Sequence, residues 1–435
     1  MKIAVIGSGI AGMAAAHFLT RQPGHEVMLF EAGDRLGGHT ATVDVDDDGI
    51  TRQIDTGFIV FNDWTYPHFI ALLQELGIES QPASMSFSVS DSISGLEYAG
   101  TSINTLFAQR RNLFSPRFLR LANDIVRFNR TVERDLAANP SLAQVTLGQY
   151  LQDYHYSKEF CDYYLMPMGA AIWSSPNQQM SGFPLHFFVQ FFRNHGLLNF
   201  THRPQWRVIT GGSRQYIAPL TRAYRNNIRL STPVVALRRY LLPNGKPQVG
   251  IRTARGEECF DHVILACHSD QALKLLSDPS PAERQILGAI PYQRNEVVLH
   301  TDTALLPKLR RTWSSWNVSL GHGNGDVPAL TYNMNILQQL QSRHTWCVTL
   351  NQTALIRQEC IKAVFHYDHP MFTLAGVRAQ QRWQEINGIG NTWFCGAWWR
   401  NGFHEDGVWS ARRVADQLLL QLNDVQNCSA LAIAS

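Results

Sequence analysis

The chain opens on IAVIG (3–7), a short β-branched run that suits a strand buried on both faces. MAAAHFLTR (13–21) follows with strong helix formers, Pro23-Gly24 closes it, and EVMLFEA (26–32) reads as a second strand finishing at Glu31. In the middle of the chain, FLRLANDIVRFNRTVERDL (118–136) carries apolar residues at helical spacing. FPLHFFVQFF (183–192) is the densest apolar run, and it is far shorter than the ~18 residues that a membrane span needs. Two readings fit it, a core segment and a surface that dips into lipid, with the core reading preferred. Strand patterns return at 231–240, 249–252 and 260–268, the last followed by the helical DQALKLL. A strand at Trp393–Cys395 then leads, through a loop, to a helix expected to start near Gly407, with Val408, Val414 and Leu418 as its apolar positions. Strand and helix patterns thus alternate at both ends, which predicts an α/β protein.

Composition narrows this only a little. With 435 residues, 45% hydrophobic and 17% charged, the chain can bury a large core in two or three domains. A net charge of +3 gives no nucleic-acid surface, and no such partner is expected. The 7 cysteines are scattered without a C-x-x-C pair, so neither a disulfide framework nor a zinc clip is expected. A cytoplasmic location fits that usage, the fold pattern starts at Lys2, and contact with a membrane surface stands as a second expectation. Oligomeric state is not legible. The 16 histidines and 11 tryptophans point to an aromatic pocket.

The first glycine cluster carries chemistry. Gly7-Ser8-Gly9-Ile10-Ala11-Gly12 stands after a strand and before a helix, with Glu31 about 20 residues on at the end of the next strand. That context turns G-x-G-x-x-G into a dinucleotide site. Gly7 makes the tight turn, Gly9 lets a pyrophosphate approach, and Gly12 lets helix and strand pack. Ile10 and Ala11 open the helix, whose N-terminus offers N–H groups to phosphate, and Glu31 with Ala32 meets the ribose.

The next residues are more specific. AGDRLGGHTAT (32–42) and IDTGFIVFN (54–62) resemble the second signature of the flavin amine-oxidase, phytoene-desaturase and protoporphyrinogen-oxidase superfamily. RVITGGSRQYIAPL (207–220), STPVVALRRY (231–240) and the C-terminal TWFCGAWWRNGFHEDGVWSARR are similar to later signatures, in order. The resemblance implies α/β architecture: a Rossmann-like FAD-binding domain (GR2/amine-oxidase type) with an inserted mixed α+β substrate domain. The flavin domain would take 1–63, 205–290 and 390–435, and the substrate domain a largely helical 64–204 together with 291–389. The cofactor implied is FAD, held non-covalently. Arg35 would contact its pyrophosphate or ribose, Gly37 and Gly38 would let the backbone pass close, and Thr56, Gly57 and Phe58 would run along the ring. Val234 or Val235 would touch adenine, and Gly396, Asp406, Gly407 and Val408 would bring the last helix to the flavin, with Asp406 as its N-cap. Many relatives carry Gly-Glu where this chain has Gly396-Ala397, which weakens an amine-oxidase reading. The 6 lysines stand in no matching motif.

GFHED, YQRNEVVLHTD (292–302), TYNMNILQ (331–338) and HPMFT (369–373) resemble a bacterial branch of NAD/FAD-binding proteins, for which the resemblance implies lipid acyl substrates. The expected activity is an FAD-dependent oxidoreductase taking hydride from a C–H bond of a hydrophobic or lipid substrate, as a desaturase does. Amine oxidation, a redox-neutral isomerase or mutase, and non-catalytic FAD binding remain open beside it. His404 and Glu405 are candidates to move protons beside the flavin, or else they only hold the loop. Trp398 is a candidate wall of the substrate side and Tyr332 a candidate gate. No metal is expected, because consecutive His404-Glu405-Asp406 side chains do not converge on one ion.

Overall fold

The computed structural model describes residues 1–173, 180–199, 201–243, 245–321 and 329–433, with side chains as far as 422. Two sheets organise it. The first is parallel and five-stranded, in the order Ile228–Arg229, Glu26–Phe30, Lys2–Ile6, His262–Leu265, Thr392–Phe394. Its central strands carry no polar alternation because both faces are covered: Ile3, Val5, Leu29, Ile264 and Leu265 are fully buried. The helix Ile10–Thr20 lies against it, and the long C-terminal helix His404–Ile433 packs on that helix. The sheet therefore draws on three distant parts of the chain, one from each end and one from the middle.

The second sheet has seven strands and joins Phe87–Asp91 and Glu97–Ala99 to Tyr292–His300, Trp316–Leu320, Ala329–Asn333, Cys347–Leu350 and Ile361–Pro370. Its neighbours pair antiparallel, except for Trp316–Leu320, which runs parallel to Phe87–Asp91. A small sheet of Phe61–Asn62, Trp206–Ile209 and Ser80–Pro82 crosses the expected boundaries at 63 and 204, so the two layers are stitched together there.

The helical part between the sheets' strands is built on aromatic packing. Helix Pro116–Ala138 buries Phe118, Leu121, Phe128 and Val132, the stripe that its spacing predicts, with Ser115 accepting the Phe118 N–H at its start. FPLHFFVQFF forms the helix Leu185–Asn194, and Phe187, Phe188, Phe191 and Phe192 are all buried. This run is core, not a lipid-facing surface. Among the described residues no helix is long and apolar enough to cross a membrane.

The glycine turn explains why the first strand and helix meet so tightly. A Cβ on Gly12 would lie 1.9 Å from the Gly7 carbonyl oxygen, a contact that only movement of backbone could relieve. Gly12→Ala should therefore push the helix off the turn. Purified Gly12→Ala protein is expected to keep its helical circular dichroism but hold less than about a tenth as much as the wild type of the flavin that the resemblance implies, read from absorbance against protein concentration. Full flavin content would show that the turn tolerates the displacement.

Candidate functional site

A cavity of about 630 Å3 runs from the Gly7–Ala11 turn to the second sheet. At one end it is walled by Gly7, Gly9, Ile10, Ala11, Glu31 and Ala32. Among the described residues no heavy atom stands within 4 Å of the side chain that Gly9 lacks and no side chain caps the helix Ile10–Thr20, so its first N–H groups face a space fit for phosphate. Glu31 accepts hydrogen bonds from the N–H groups of Ser8 (2.9 Å) and Gly33 (2.8 Å), which fixes its carboxylate at the strand end. Val234 lines the cavity nearby, whereas Val235 is 55% exposed and lies outside the wall.

Gly37, Gly38, Gly57 and Phe58 form the next stretch of wall. Arg35 and Thr56 stand behind it. The Arg35 guanidinium donates to the carbonyls of Thr40 (3.0 Å) and Gly38 (2.9 Å), so it braces the loop, and the Thr56 hydroxyl lies 3.1 Å from that of Tyr367.

GFHED is where the structure revises the reading most. The C-terminal helix starts at His404, earlier than Gly407, so Asp406 lies within its first turn instead of preceding it. Its carboxylate turns back to accept the N–H groups of Phe403 (2.9 Å) and Asn401 (3.1 Å), and burial pushes its pKa up to about 7. Asp406 thus ties down the loop before the helix, and it does not line the cavity. Gly407 does not face it either: a Cβ there would meet Ile10 at 2.8 Å, so the missing side chain admits the first helix. Val408 is fully packed in the core.

His404 and Glu405 part company. Glu405 points away from the cavity and caps another helix, accepting the N–H groups of Phe69 (2.9 Å) and His68 (3.2 Å) at the start of Pro67–Glu75. As a catalytic candidate it is corrected, for its oxygens are already engaged with a helix N-terminus. His404 is in the wall. Its ring stacks on Phe58 with centroids 3.6 Å apart, and its Nε2 lies 3.1 Å from both the Thr40 and the Tyr216 hydroxyls. Burial pushes its pKa down to about 3, so it is a neutral hydrogen-bonding group and a weak base. The N–H groups of His404 and Glu405 have no acceptor among the described residues, which leaves a helix N-terminus open at this wall.

Trp398 also lines the cavity. Its indole donates to the Cys267 carbonyl (3.2 Å), stacks on Trp399, and covers Gly396, where a Cβ would lie 2.3 Å from the indole nitrogen. Gly396 itself lines the cavity, and so does Tyr332 from the strand Ala329–Asn333, at the opposite end.

Two wall groups escaped notice as individual residues. Trp316, on the second sheet, lines the cavity and has an indole N–H with no acceptor among the described residues. His369 is oriented by a chain of amides. The Glu296 N–H donates to Asn351 Oδ1 (2.9 Å), Asn351 Nδ2 to Asn295 Oδ1 (2.7 Å), and Asn295 Nδ2 to His369 Nδ1 (2.8 Å). Each amide's direction is set by the one before it, so the His369 proton resides on Nε2. His369 stands with His39 (5.3 Å between rings), and His39 with His268 (6.0 Å), and burial lowers the pKa of all three. HPMFT marked this stretch in the sequence, but Asn295 lies 74 residues before His369 in the chain, and Asn351 lies 56 residues after Asn295.

Comparison with known proteins agrees with this geometry. Residues 10–329 match the family described as flavin containing amine oxidoreductase, and the chain belongs to that family. A stretch of 81 residues is 36% identical to 15-cis-phytoene desaturase of Synechococcus elongatus, covering 19% of this chain and 16% of that protein. The chain therefore matches less than a fifth of the length of such curated relatives. Cyclohexylamine oxidase from Brevibacterium oxydans superposes with a TM-score of 0.67 at 17% identity, over 97% of this chain and 99% of that one. The CLA-producing fatty acid isomerase from P. acnes superposes at 0.64 with 13% identity, over 96% and 97%. The family is one of flavin-containing oxidoreductases, the cofactor is FAD, and the fold of this chain is that of the amine oxidases. The open Gly9 cradle and the fixed Glu31 carboxylate fit that cofactor.

Asp406 yields a pH prediction. Its carboxyl keeps a proton to about pH 7 in the folded state but loses it near 3.8 when exposed. Its contribution to stability is therefore full at acid pH and is lost as pH rises through about 7. Asn at this position keeps an acceptor for the two N–H groups without titrating. Asp406→Asn should raise the melting temperature at pH 8 by on the order of 2–4 °C and by less at pH 5. An equal shift at both values would show that the carboxyl is ionised throughout.

Proposed function

We propose that this protein removes a hydride from a C–H bond of a hydrophobic substrate, a lipid or fatty acyl chain, in a desaturase- or dehydrogenase-type reaction. The observation that carries this reading is the wall beyond the flavin cradle, where Ile172, Trp173, Trp316, Tyr332, Phe372 and Phe403 surround imidazoles that burial holds neutral. Such a surface favours an apolar chain over an ammonium group, whose charge would have to be desolvated against few compensating carboxylates. Among the described lining residues the carboxylates are Glu31, at the cradle end, and Asp368.

FAD, when bound, supplies the hydride acceptor. The protein's residues divide the remaining work. Trp398 and Phe403 exclude water from the wall on the flavin side. The Nε2–H of His369 and the indole N–H of Trp316 are neutral donors suited to an oxygen at the polar end of the substrate. His404, held by Thr40 and Tyr216, keeps its place as a neutral ring and is too weak a base to take the second proton. That proton goes to Asp368, the carboxylate on the same wall. Non-covalent binding is supported by Cys267, the one cysteine among the described lining residues, whose thiol burial pushes up to about 12 and so keeps protonated. The 6 cysteines described are free, in keeping with a cytoplasmic enzyme.

Anaerobic mixing tests the reading. Fatty acids or acyl lipids, including methyl-branched ones, should bleach the flavin band, and simple alkylamines should not. Asp368→Asn should retain its flavin yet slow that bleaching by about 100-fold or more. Bleaching by amines alone would overturn the lipid reading, and an unchanged rate in Asp368→Asn would remove it as the base. Acid precipitation should release all of the flavin into the supernatant, whereas yellow colour in the pellet would mean a covalent link.

A further inference from the structure

The corner formed by residues 102–120 differs from the rest of the surface. It is a four-residue helix Ile103–Leu106, a 3-10 turn Arg110–Phe114 and the start of helix Pro116–Ala138. Ala108, Asn112 and Phe118 are buried and anchor it, with the Phe107 ring set edge-on against Phe118. Above that anchor the exposed residues are apolar and basic. Phe114 is 86% exposed and Ile103 79%, and Leu113 and Leu119 are exposed as well. Arg110, Arg111, Arg117 and Arg120 stand among them, all exposed.

The charge here is one-sided. From Ser92 to Asn123 the only acidic residue is Glu97. Its carboxylate is buried and already accepts the N–H groups of Lys308 and Leu309 (both 2.9 Å). That same contact brings the exposed Lys308, Arg310 and Arg311 alongside. Among the described residues, Arg120 is the one of the corner's four arginines that approaches a carboxylate, Glu159, at 3.9 Å.

We propose that this corner docks on an anionic lipid surface, with Phe114 and Ile103 entering the headgroup region and the arginines and Lys308 facing the lipid phosphates. Exposed apolar side chains ringed by Lys and Arg are the pairing that interfacial binding uses, since apolar burial and surface potential act together. Charge argues against the other occupants. A second copy of this chain meeting the corner with its own corner would set like charges against one another. An RNA site would present aromatic platforms for bases, and the exposed side chains here are mainly aliphatic, with one phenylalanine. The corner replaces Phe183–Phe192, which is buried, as the surface for such contact. It stands apart from the cavity residues, so its test and the substrate test fail independently.

The test is co-sedimentation of the full-length, FAD-loaded protein with vesicles of phosphatidylcholine, either alone or with about one-third phosphatidylglycerol. The wild type should sediment with the anionic vesicles, release as salt is raised, and stay in solution with the neutral ones. Phe114→Ser and the double variant Arg117→Glu with Lys308→Glu should each weaken binding about tenfold. Leu241→Ser, a change at a residue 78% exposed elsewhere on the surface, should bind as wild type does. Flavin spectrum and melting temperature should be the same in all four proteins, because none of these side chains is buried. Failure of the wild type to sediment, equal binding by all variants, or retention on RNA in place of vesicles would each overturn the proposal. So would a concentration-dependent dimer that Phe114→Ser abolishes.

Discussion

How closely the last helix can approach the first decides the shape of the site. Gly407 and Ile10 meet where a single methyl group would intrude. That approach carries His404 from the far end of the chain to the wall that already holds Gly9, Ile10 and Ala11. The Gly12 contact with Gly7 does the same for the first strand and helix. Both are backbone-level fits, and they hold the cofactor cradle in place with little side-chain chemistry.

Burial then determines what the polar residues of the wall can do. Four histidines stand around the cavity, and desolvation keeps each from charging. A ring with a pKa near 3 is not the general base that a histidine beside a flavin first suggests. Its value lies in the fixed direction of its hydrogen bonds. The amide chain from Glu296 through Asn351 and Asn295 makes the same point for His369, since it sets the tautomer through neutral groups alone.

Carboxylates are used sparingly, and most are diverted to structure. Glu405 caps a neighbouring helix, Asp406 holds a loop, and Asp55 accepts from Thr42 and Ser213. What remains at the cavity is a largely aromatic chamber with few charged groups. That environment suits chemistry at a C–H bond, where water and stray charge must be kept away from the reacting carbon.

The sequence by itself determined the cradle. Strand, glycine turn, helix and a closing acidic residue lie within 31 consecutive positions, and their spacing follows from local geometry that no tertiary contact has to supply. The family signatures near 32–62, 207–220 and 393–413 were legible for the same reason. Tertiary structure alone decided which way the three polar residues of GFHED point, because helix starts are set by packing as much as by caps. It also decided that Trp316, Asn295 and Asn351 belong to the site, since antiparallel pairing, not spacing, lays the Asn295 strand beside that of His369, and the same sheet carries Trp316 four strands along. Which apolar segment faces water was decided there too. Phe183–Phe192 and 103–119 both carry bulky apolar residues, but the first sends its phenylalanines into the aromatic core, whereas from the second Leu106, Phe107 and Phe118 reach that core and Ile103, Leu113, Phe114 and Leu119 stay exposed, so burial depends on the available partner rather than on hydropathy.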